Sequence, residues 1–427
     1  MLFFQKHGTD GRRFLLSWVF LLLPVILTAA NPEKKTMRSG GLEREYLIYT
    51  PPHVSGKPEG LLICLHGFNG SMQDFFDNYA LFKVADSLHY LIVAPQALPE
   101  QDPRLINLAK ALDPLLGNKI LSGWGLHLDA AWGCGLRVKA VSKWLGITLL
   151  DEELNRPVDD VAFIRQLIER TTAEYALSPV DNIFLIGTSM GGYMCYQYAL
   201  KQPVKPAGII SLVGSMGLNI RGMGEGMKTP LCDFHSITDE VVPYAGSFDS
   251  DGITISLAQP KADVISYWVK TNGAGAPVTE TVARYPSVNG ITVEKITYPH
   301  PAYEVVHYRM NGAGHSYFFR RENGDCMDYL EEATAFILAH ARSGTNALQT
   351  VTTQEVWTFP NPATQTLYFT TPLSGRATIF DRTGKAIRTH VLLDAEQMDI
   401  STLPSGLYIL RVRTDGGVLR TAKFLKR

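Results

Sequence analysis

The stretch that decides the fold is Asn182-Ile-Phe-Leu-Ile-Gly-Thr-Ser-Met-Gly-Gly192, where an apolar run ends in the pattern Gly-x-Ser-x-Gly. Sequence of helical period, Met190–Leu200, follows directly. This order is typical of a sharp strand-to-helix turn, because the small residues at 187 and 191 let neighbouring backbone pack closely while the serine exposes its hydroxyl. The first N–H groups of the helix point at that hydroxyl and favour an anionic intermediate there. The sequence therefore predicts Ser189 as a nucleophile.

Other short apolar runs, each bounded by turn residues, predict a sheet around this turn. The runs are Leu61–His66, Leu91–Pro95, Ile183–Gly187, Gly208–Val213 and Leu231–Phe234. Their almost continuous apolar character is typical of strands that are buried on both faces. Segments of helical period such as Val158–Arg170 lie between them, and the amphipathic segment Met327–Arg342 would close the domain. Strands that alternate with helices predict an α/β fold with a mostly parallel central sheet.

A serine nucleophile needs a base and an acid that orients the base, and in such a fold both follow it in the chain. The segment His235-Ser-Ile-Thr-Asp-Glu-Val-Val-Pro-Tyr244 follows one predicted strand, and Asn311-Gly-Ala-Gly-His315 follows another strand-like run. Loops at the carboxyl ends of parallel strands meet at one edge of the sheet. We therefore predict His315 as the general base and Asp239 as the acid that orients it, with Glu240 as the alternative acid.

The oxyanion of an acyl-transfer intermediate needs two hydrogen-bond donors. One predicted donor is the backbone N–H of Met190, the residue after the nucleophile. The other comes from the loop His66-Gly-Phe-Asn-Gly70, which follows the first of the apolar runs. In that loop Phe68 is the predicted donor and Asn69 is the alternative.

An extended segment from Asp102 to Lys143 interrupts the alternation of strands and helices and contains Trp124 and Trp132. Long insertions in compact domains are usually functional, so we interpret this segment as a wall or lid of the substrate pocket. The alternative is that both tryptophans belong to the core.

Composition argues against several classes of protein. The chain of 427 residues has a formal net charge of −1, so it carries no basic excess that would attract nucleic acid. Its 45% hydrophobic and 19% charged residues are typical of a globular protein, and its length suits one large and one small domain. The histidines show no metal-ligand spacing and no phosphate-binding glycine loop occurs, so neither a metal nor a cofactor is expected.

Residues 1–30 are interpreted as a secretory signal peptide. Basic residues precede an apolar run, Phe14–Ile26, which closes on small residues ending at Ala30. This arrangement is typical of a cleavable export signal. The alternative is an uncleaved anchor, but Pro24 interrupts a run that is shorter than the ~20 residues of a membrane span. No transmembrane anchor is therefore expected in the mature protein.

The five cysteines are an odd number for an exported protein, so at least one is unpaired or pairs between chains. Cys64 and Cys232 lie in strand-like runs and Cys195 lies on the helix after the nucleophile, so these are expected to be buried thiols. Cys134 and Cys326 lie in glycine-rich, loop-like surroundings and are the cysteines expected to be oxidised.

The character of the sequence changes after residue 342. Residues 343–354 are small and polar and predict a linker. Residues 355–427 contain short alternating segments separated by turn residues, among them Thr366–Thr370, Ala377–Phe380 and Gly406–Arg411. This pattern predicts a small antiparallel β-sandwich, too short to hold an enzyme pocket of its own.

Ordered motifs between about Leu42 and Arg342 resemble the family of polyhydroxybutyrate depolymerases, feruloyl esterases and acetylxylan esterases. The motifs are Leu65-His-Gly67, Val158-Asp-Asp-Val-Ala-Phe-Ile164, Gly187-Thr-Ser-Met-Gly-Gly-Tyr193, Gly214-Ser-Met-Gly217, the Asp239 loop ending in Val-Val-Pro-Tyr244, and Gly312-Ala-Gly-His315. The resemblance implies that residues 31–342 form an α/β-hydrolase domain that cleaves carboxylic esters through an acyl-enzyme on Ser189. It implies feruloyl or acetyl esters of polysaccharides, or short polyesters of the hydroxybutyrate type, as substrates.

The sequence departs from this family around the acyl pocket. Phe68 stands where the family often has a cysteine or a small polar residue, and Tyr317-Phe318 replaces a Trp-Pro pair. Only Trp132-Gly-Cys134 appears where the family often has two adjacent cysteines after a tryptophan. A serine peptidase of the same fold and a surface-binding protein without activity are the alternative functions. The side chains expected to contact substrate are Asn69, Trp124, Trp132, Tyr244 and Tyr317.

Residues 355–427 resemble the C-terminal sorting domain of the type IX secretion system. The motifs are Phe359-Pro-Asn-Pro-Ala363, Ile379-Phe-Asp-Arg-Thr-Gly-Lys385, Asp399-Ile-Ser-Thr-Leu-Pro-Ser-Gly-Leu-Tyr-Ile-Leu410 and the basic end Lys423-Phe-Leu-Lys-Arg427. The resemblance implies the type IX secretion machinery as a partner, and a secreted or cell-surface location. The alternative is a carbohydrate-binding β-module.

Overall fold

The computed structural model describes residues 31–427 except 53, 55–56, 108–127, 178–181, 202–203, 220–226, 342–352, 356–357, 382–385 and 415–418. Three of the expectations above fall outside these described residues. They concern the signal peptide, most of the linker and the side chain of Trp124.

The strands described before residue 342 form two sheets. They are β1 (Glu33–Ser39), β2 (Leu42–Tyr49), β3 (Gly60–Leu65), β4 (Tyr90–Pro95), β5 (Arg137–Ser142), β6 (Thr148–Glu153), β7 (Ile183–Thr188), β8 (Gly208–Leu212), β9 (Leu231–Ser236), β10 (Ser247–Ser250), β11 (Ile253–Ser256), β12 (Val278–Thr281), β13 (Thr292–Tyr298) and β14 (Val305–Asn311).

The main sheet has ten strands in the order β1-β2-β4-β3-β7-β8-β9-β14-β13-β12. The strands from β4 through β14 in that order run parallel, and antiparallel strands extend both edges. Every residue of β3, β4, β7, β8 and β9 is buried, as their continuous apolar sequence predicts. The predicted α/β fold with a mostly parallel central sheet is confirmed.

The α-helices with both ends among the described residues are α1 (Asp74–Asp77), α2 (Phe82–Leu88), α3 (Asp160–Glu174), α4 (Met190–Lys201), α5 (Lys261–Asn272) and α6 (Tyr329–His340). Helix α3 begins where the side chain of Asp159 accepts the N–H of Ala162, and α6 begins where Asp328 accepts the N–H of Leu330. The closing helix is therefore shorter at both ends than the amphipathic segment predicts, since Asp328 caps it and Ala341 is extended.

A buried ion pair joins strand β2 to the start of α3. The Arg44 guanidinium donates to Asp160 Oδ1 at 2.6 Å and lies 3.8 Å above the ring of Phe163. The second oxygen of Asp160 accepts the backbone N–H of Gly133 at 2.7 Å. Burial raises the pKa of the Asp160 carboxyl, and the nearby charge of Arg44 partly offsets this increase. The pair thus fixes the segment around Trp132 to the sheet and to α3.

The second sheet has four strands in the order β10-β11-β5-β6, all antiparallel. The sequence did not predict it. Part of the segment interpreted as a wall or lid of the pocket, Asp102–Lys143, contributes strand β5 to this sheet.

The strands after residue 352 form a third, six-stranded sheet. They are β15 (Thr353–Glu355), β16 (Thr358–Phe359), β17 (Thr366–Phe380), β18 (Ala386–Asp399), β19 (Gly406–Thr414) and β20 (Leu419–Lys426). The order is β15-β20-β19-β17-β16, with β18 also paired to β17. Strand β17 changes register between Tyr368 and Gly375, an interval that contains Pro372, which has no N–H for a ladder. These strands bury a core of their own, which confirms the predicted all-β region.

All five cysteines lie among the described residues, and all five are buried free thiols. The expectation that Cys134 and Cys326 are the oxidised ones is therefore not met. Cys134 belongs to the main hydrophobic core despite its glycine-rich neighbours, and burial raises the pKa of its thiol. Glycine-rich sequence here reflects close backbone packing and not exposure.

Within the described part of the chain, none of the helices has the length and apolarity to cross a membrane.

We expect Asp160→Asn to lower the free energy of unfolding by about 3 kcal/mol, because it leaves the Arg44 charge buried without a counter-charge. Asp159→Asn is the matched control, since asparagine also caps helices well and this variant should change stability by less than about 0.5 kcal/mol. Urea denaturation monitored by tryptophan fluorescence measures both values. Equal stability of the two variants would contradict the role given to the ion pair.

Candidate active site

Ser189 lies at the junction of β7 and α4, in a left-handed backbone conformation with φ +52°. Its backbone N–H donates to Leu212 O at 2.8 Å, so the strained turn is held by β8. A Cβ on Gly191 would lie 1.8 Å from Leu65 O, and a Cβ on Gly187 would lie 2.1 Å from Gly191 O. Only glycine therefore fits at either position, which is the physical reason for the Gly-x-Ser-x-Gly pattern.

The predicted catalytic side chains form a connected chain of hydrogen bonds. His315 Nε2 lies 2.9 Å from Ser189 Oγ. His315 Nδ1 lies 2.8 Å from Asp239 Oδ2 and 3.0 Å from Asp239 Oδ1. The loops after β7, β9 and β14 bring these residues to one edge of the sheet. The geometry suits transfer of the serine proton to the imidazole.

Asp239 is held in place as an anion. Its Oδ1 accepts the backbone N–H groups of Val241 at 2.9 Å and Val242 at 2.8 Å. Burial raises the pKa of the carboxyl, but the hydrogen bond and charge of His315 lower it, and the net pKa lies below the ordinary value. The carboxylate can therefore stabilise a positive charge that forms on the imidazole.

Glu240, the alternative acid, has a different partner. Its Oε2 accepts the backbone N–H of His315 at 3.1 Å. The side chain of Thr238 donates to Ala313 O at 2.9 Å and accepts the N–H of Gly312 at 3.1 Å. These two residues tie the loop that carries Asp239 to the loop that carries the imidazole. No sequence motif indicates this role of Thr238, and only its position one residue before the acid could have suggested it.

The loop that follows β3 lies against the nucleophile, since a Cβ on Gly67 would be 3.3 Å from the Cβ of Ser189. The N–H of Ala97 donates to His66 Nε2 at 3.0 Å, which leaves the ring proton on Nδ1 to donate to Gly67 O at 2.7 Å. Burial lowers the pKa of His66 to about 4, so this ring is neutral at neutral pH. His66 thus fixes the loop as a structural residue.

Asn69 is engaged in holding the same loop. Its backbone N–H donates to Ala130 O at 2.8 Å, and its side-chain oxygen accepts the N–H of Asp129 at 3.0 Å. Because the hydrogen bonds of Asn69 are made with residues 129 and 130, Asn69 is less suited to be the second oxyanion donor, and Phe68 is favoured for that role.

Trp132 is fully buried, and its indole N–H donates to His66 O at 2.8 Å. This favours the alternative that Trp132 is a core residue, because no part of it is open to a substrate. Trp132 thus fixes the loop of residues 66–70, from which the second oxyanion donor is predicted to come. Asp160, through the N–H of Gly133, supports Trp132 in turn.

The two tyrosines expected to contact substrate both have protein partners. Tyr244 is half-buried, and its hydroxyl lies 2.9 Å from His307 Nε2. The hydroxyl of Tyr317 donates to Asp325 Oδ1 at 2.6 Å and accepts from Asn289 Nδ2 at 2.9 Å. Substrate contact by both tyrosines stays a prediction.

In the described residues, no group of three or more His, Cys, Asp or Glu side chains is arranged to hold a metal ion.

Two family models match the chain. Residues 358–427 match the model described as secretion system C-terminal sorting domain, and residues 143–267 match the model described as phospholipase/carboxylesterase. The second match includes Ser189 and Asp239 and ends before His315. The predicted sorting domain is confirmed, and the protein is exported to the cell surface or beyond it.

Among curated proteins, the chain is similar to the putative esterase NocK of Nocardia uniformis subsp. tsuyamanensis, with 22% identity over 291 residues, 65% of this chain and 71% of that protein. Among solved structures, it is similar to the acetyl xylan esterase from Aspergillus awamori, with 13% identity, a TM-score of 0.44, and coverage of 72% of this chain and 99% of that one. An S-formylglutathione hydrolase from Agrobacterium tumefaciens has 12% identity, a TM-score of 0.39, and coverage of 67% and 90%. The family match and the curated relative confirm the predicted relationship to esterase-type α/β-hydrolases.

We expect Trp132→Phe to lower kcat for p-nitrophenyl acetate while KM changes little. The substitution leaves His66 O buried without its donor, at a cost of about 1–3 kcal/mol, and lets the loop of residues 66–70 move, which would misplace the predicted oxyanion donor Phe68. Trp268→Phe is a matched control, because among the described residues the buried indole N–H of Trp268 has no hydrogen-bond partner. Steady-state kinetics on both variants distinguish the two positions. An equal loss of kcat in both variants would exclude a specific role of Trp132.

Proposed function

We propose that the protein is a secreted serine carboxylic-ester hydrolase with Ser189 as nucleophile, His315 as general base and Asp239 as the orienting acid. The observation that carries this proposal is the continuous hydrogen-bonded chain, with 2.9 Å between Ser189 Oγ and His315 Nε2 and 2.8 Å between His315 Nδ1 and Asp239 Oδ2. The low exposure of His315 and Asp239 supports it, because charges that develop during the reaction are stabilised more strongly away from water.

In the first half of the reaction, Ser189 Oγ attacks the ester carbonyl carbon while His315 Nε2 takes the hydroxyl proton. The tetrahedral intermediate carries its negative charge on the former carbonyl oxygen. The backbone N–H groups of Met190 and Phe68 donate to that oxygen. The intermediate then collapses, the bond to the alcohol oxygen breaks, and His315 returns the proton to the leaving alcohol. An acyl group remains on Ser189.

In the second half, water replaces the alcohol. His315 removes a proton from the water while the water oxygen attacks the acyl carbonyl carbon, and the same two N–H groups donate to the oxyanion that forms. The bond between that carbon and Ser189 Oγ then breaks, the carboxylic acid leaves, and His315 returns the proton to Ser189 Oγ. The anionic Asp239 stabilises the imidazolium in both halves. These reaction steps require neither a metal nor an organic cofactor.

For the substrate, we propose feruloyl or acetyl esters of polysaccharides, or short polyesters of the hydroxybutyrate type. Export of the protein supports a substrate outside the cell. The match to a carboxylesterase model supports an ester over an amide bond, which argues against the peptidase alternative.

We expect Ser189→Ala to reduce kcat for p-nitrophenyl acetate by about 10⁵-fold or more, because the nucleophile is removed. Ser215→Ala is the matched control, since Ser215 is also buried and its hydroxyl donates to Gln259 O. It should retain wild-type labelling by a fluorophosphonate probe, and Ser189→Ala should lose it. Near-normal turnover by Ser189→Ala would refute the mechanism.

We expect the purified protein to release acid from at least one member of a panel of acetylated xylan, feruloylated xylan and hydroxybutyrate oligomers. It should cleave p-nitrophenyl esters in preference to peptide p-nitroanilides, because the alcohol leaving group needs less assistance than an amine. Product release measured by chromatography decides the substrate. Faster cleavage of the peptide anilides would favour the peptidase instead.

A further inference from the structure

The turn between β5 and β6, together with the start of β6, exposes a cluster of apolar side chains. Trp144 is 82% exposed, Leu145 71%, Ile147 50% and Leu149 51%. We call these four residues the apolar tip. Single exposed apolar residues are normal on a protein surface, but adjacent ones on one projecting turn indicate a surface that is covered in use. None of the four takes part in the proposed catalytic machinery.

The base of this hairpin packs on a loop that borders the nucleophile. A Cβ on Gly217 would lie 1.9 Å from Gly135 O, so the segment entering β5 lies directly on the loop after β8. In the same loop, a Cβ on Gly214 would lie 2.8 Å from Ser189 O. The neighbouring strands β10 and β11 follow the loop of Asp239 in the chain. The base of the hairpin that carries the tip is thereby joined to the loop that borders the candidate active site.

The charges around the tip argue against an anionic partner. Lys143 pairs with Asp249 at 2.6 Å, and Arg137 forms an ion pair with Asp151. Lys139 lies opposite Asp151 in the β5–β6 register. Further acidic residues stand on the stem and on the adjacent turn, namely Glu152, Glu153 and Asp251. Because the basic groups are balanced and acidic groups remain, the stem would be repelled by an anionic membrane or an acidic polysaccharide.

The side-chain types favour an aliphatic surface over a sugar chain. Sugar recognition relies on flat aromatic faces, and the tip offers one indole, whose edge lies against Gly252. The other three members are branched aliphatic side chains, which bury area against any apolar surface but do not stack on sugar rings. An exported protein meets such surfaces outside the cell.

We propose that the apolar tip docks the protein onto the surface of a neutral aliphatic polyester and so places the candidate active site at that surface. This inference rests on the proposed function for its purpose, because it selects the polyester among the ester substrates considered above. The docking itself needs no catalysis.

The binding experiment uses the full chain with Ser189→Ala, so that the particles are not consumed. Suspended polyhydroxybutyrate particles should deplete this protein from solution, and adding Trp144→Ala with Leu145→Ser should weaken the apparent affinity by about tenfold, because two apolar anchors are lost. Val278→Ser is the matched control, since Val278 is 64% exposed on the edge strand β12. Equal binding by the tip variant and the control variant would overturn the proposal. Stronger depletion by insoluble xylan, or by neutral phosphatidylcholine vesicles, would overturn it in favour of those surfaces.

An activity experiment separates docking from catalysis. With Ser189 intact, the tip variant should hydrolyse soluble p-nitrophenyl acetate at the wild-type rate and lose most of its activity on the particles. The soluble rate also reports whether the variant folds, and Ile147→Ser serves as a milder second variant. Particle binding with no ester hydrolysis by the wild-type protein would refute the proposed function and leave the docking intact. Unchanged particle hydrolysis by both tip variants would refute the docking alone.

Discussion

The candidate site depends on one close contact between backbones. Gly191, in the first turn of α4, lies so near Leu65 O that a single added carbon would be 1.8 Å from that oxygen. The contact brings the end of β3 against the start of α4, and so brings the loop of residues 66–70 beside Ser189. Ser189 keeps a left-handed backbone conformation, with φ +52°, because the contacts of the surrounding residues allow its backbone no other position. The close packing of the backbone around Ser189 is thus what holds this residue in its strained conformation.

A series of hydrogen bonds between mostly buried polar groups fixes the loop that follows β3. Asp160 holds the N–H of Gly133, Trp132 donates to His66 O, and the His66 ring donates to Gly67 O. Each group is buried and would be costly to leave unpaired, so the loop has few alternative positions. A loop fixed in this way suits the proposed role of the Phe68 N–H, because a donor that is already in place stabilises a developing oxyanion without reorganisation during the reaction.

The sequence predicted the parts of the fold that follow a single strong pattern. The strands of the parallel region were visible because burial on both faces makes them continuously apolar, and Ser189 was visible because only glycine fits beside it. Strands β5 and β6 were missed because they are mostly half-buried or exposed and carry Arg, Lys, Asp and Glu. Asp239 and Glu240 are adjacent carboxylates, so the sequence alone does not show which of them contacts the His315 imidazole. The path of the loop decides that Asp239 contacts the imidazole and that Glu240 accepts the backbone N–H of His315. Trp132 was ambiguous because a buried tryptophan and a pocket tryptophan have the same sequence surroundings.

The enclosed thiols have a practical consequence. Every cysteine is shielded from water, and burial raises the thiol pKa at each, so little reactive thiolate is present near neutral pH. The folded protein should tolerate both oxidising and reducing surroundings without a change of covalent structure. The protein is also suited to selective labelling. One cysteine introduced on the surface could carry a fluorophore or an immobilising tether, because the buried native thiols would not react with the labelling reagent.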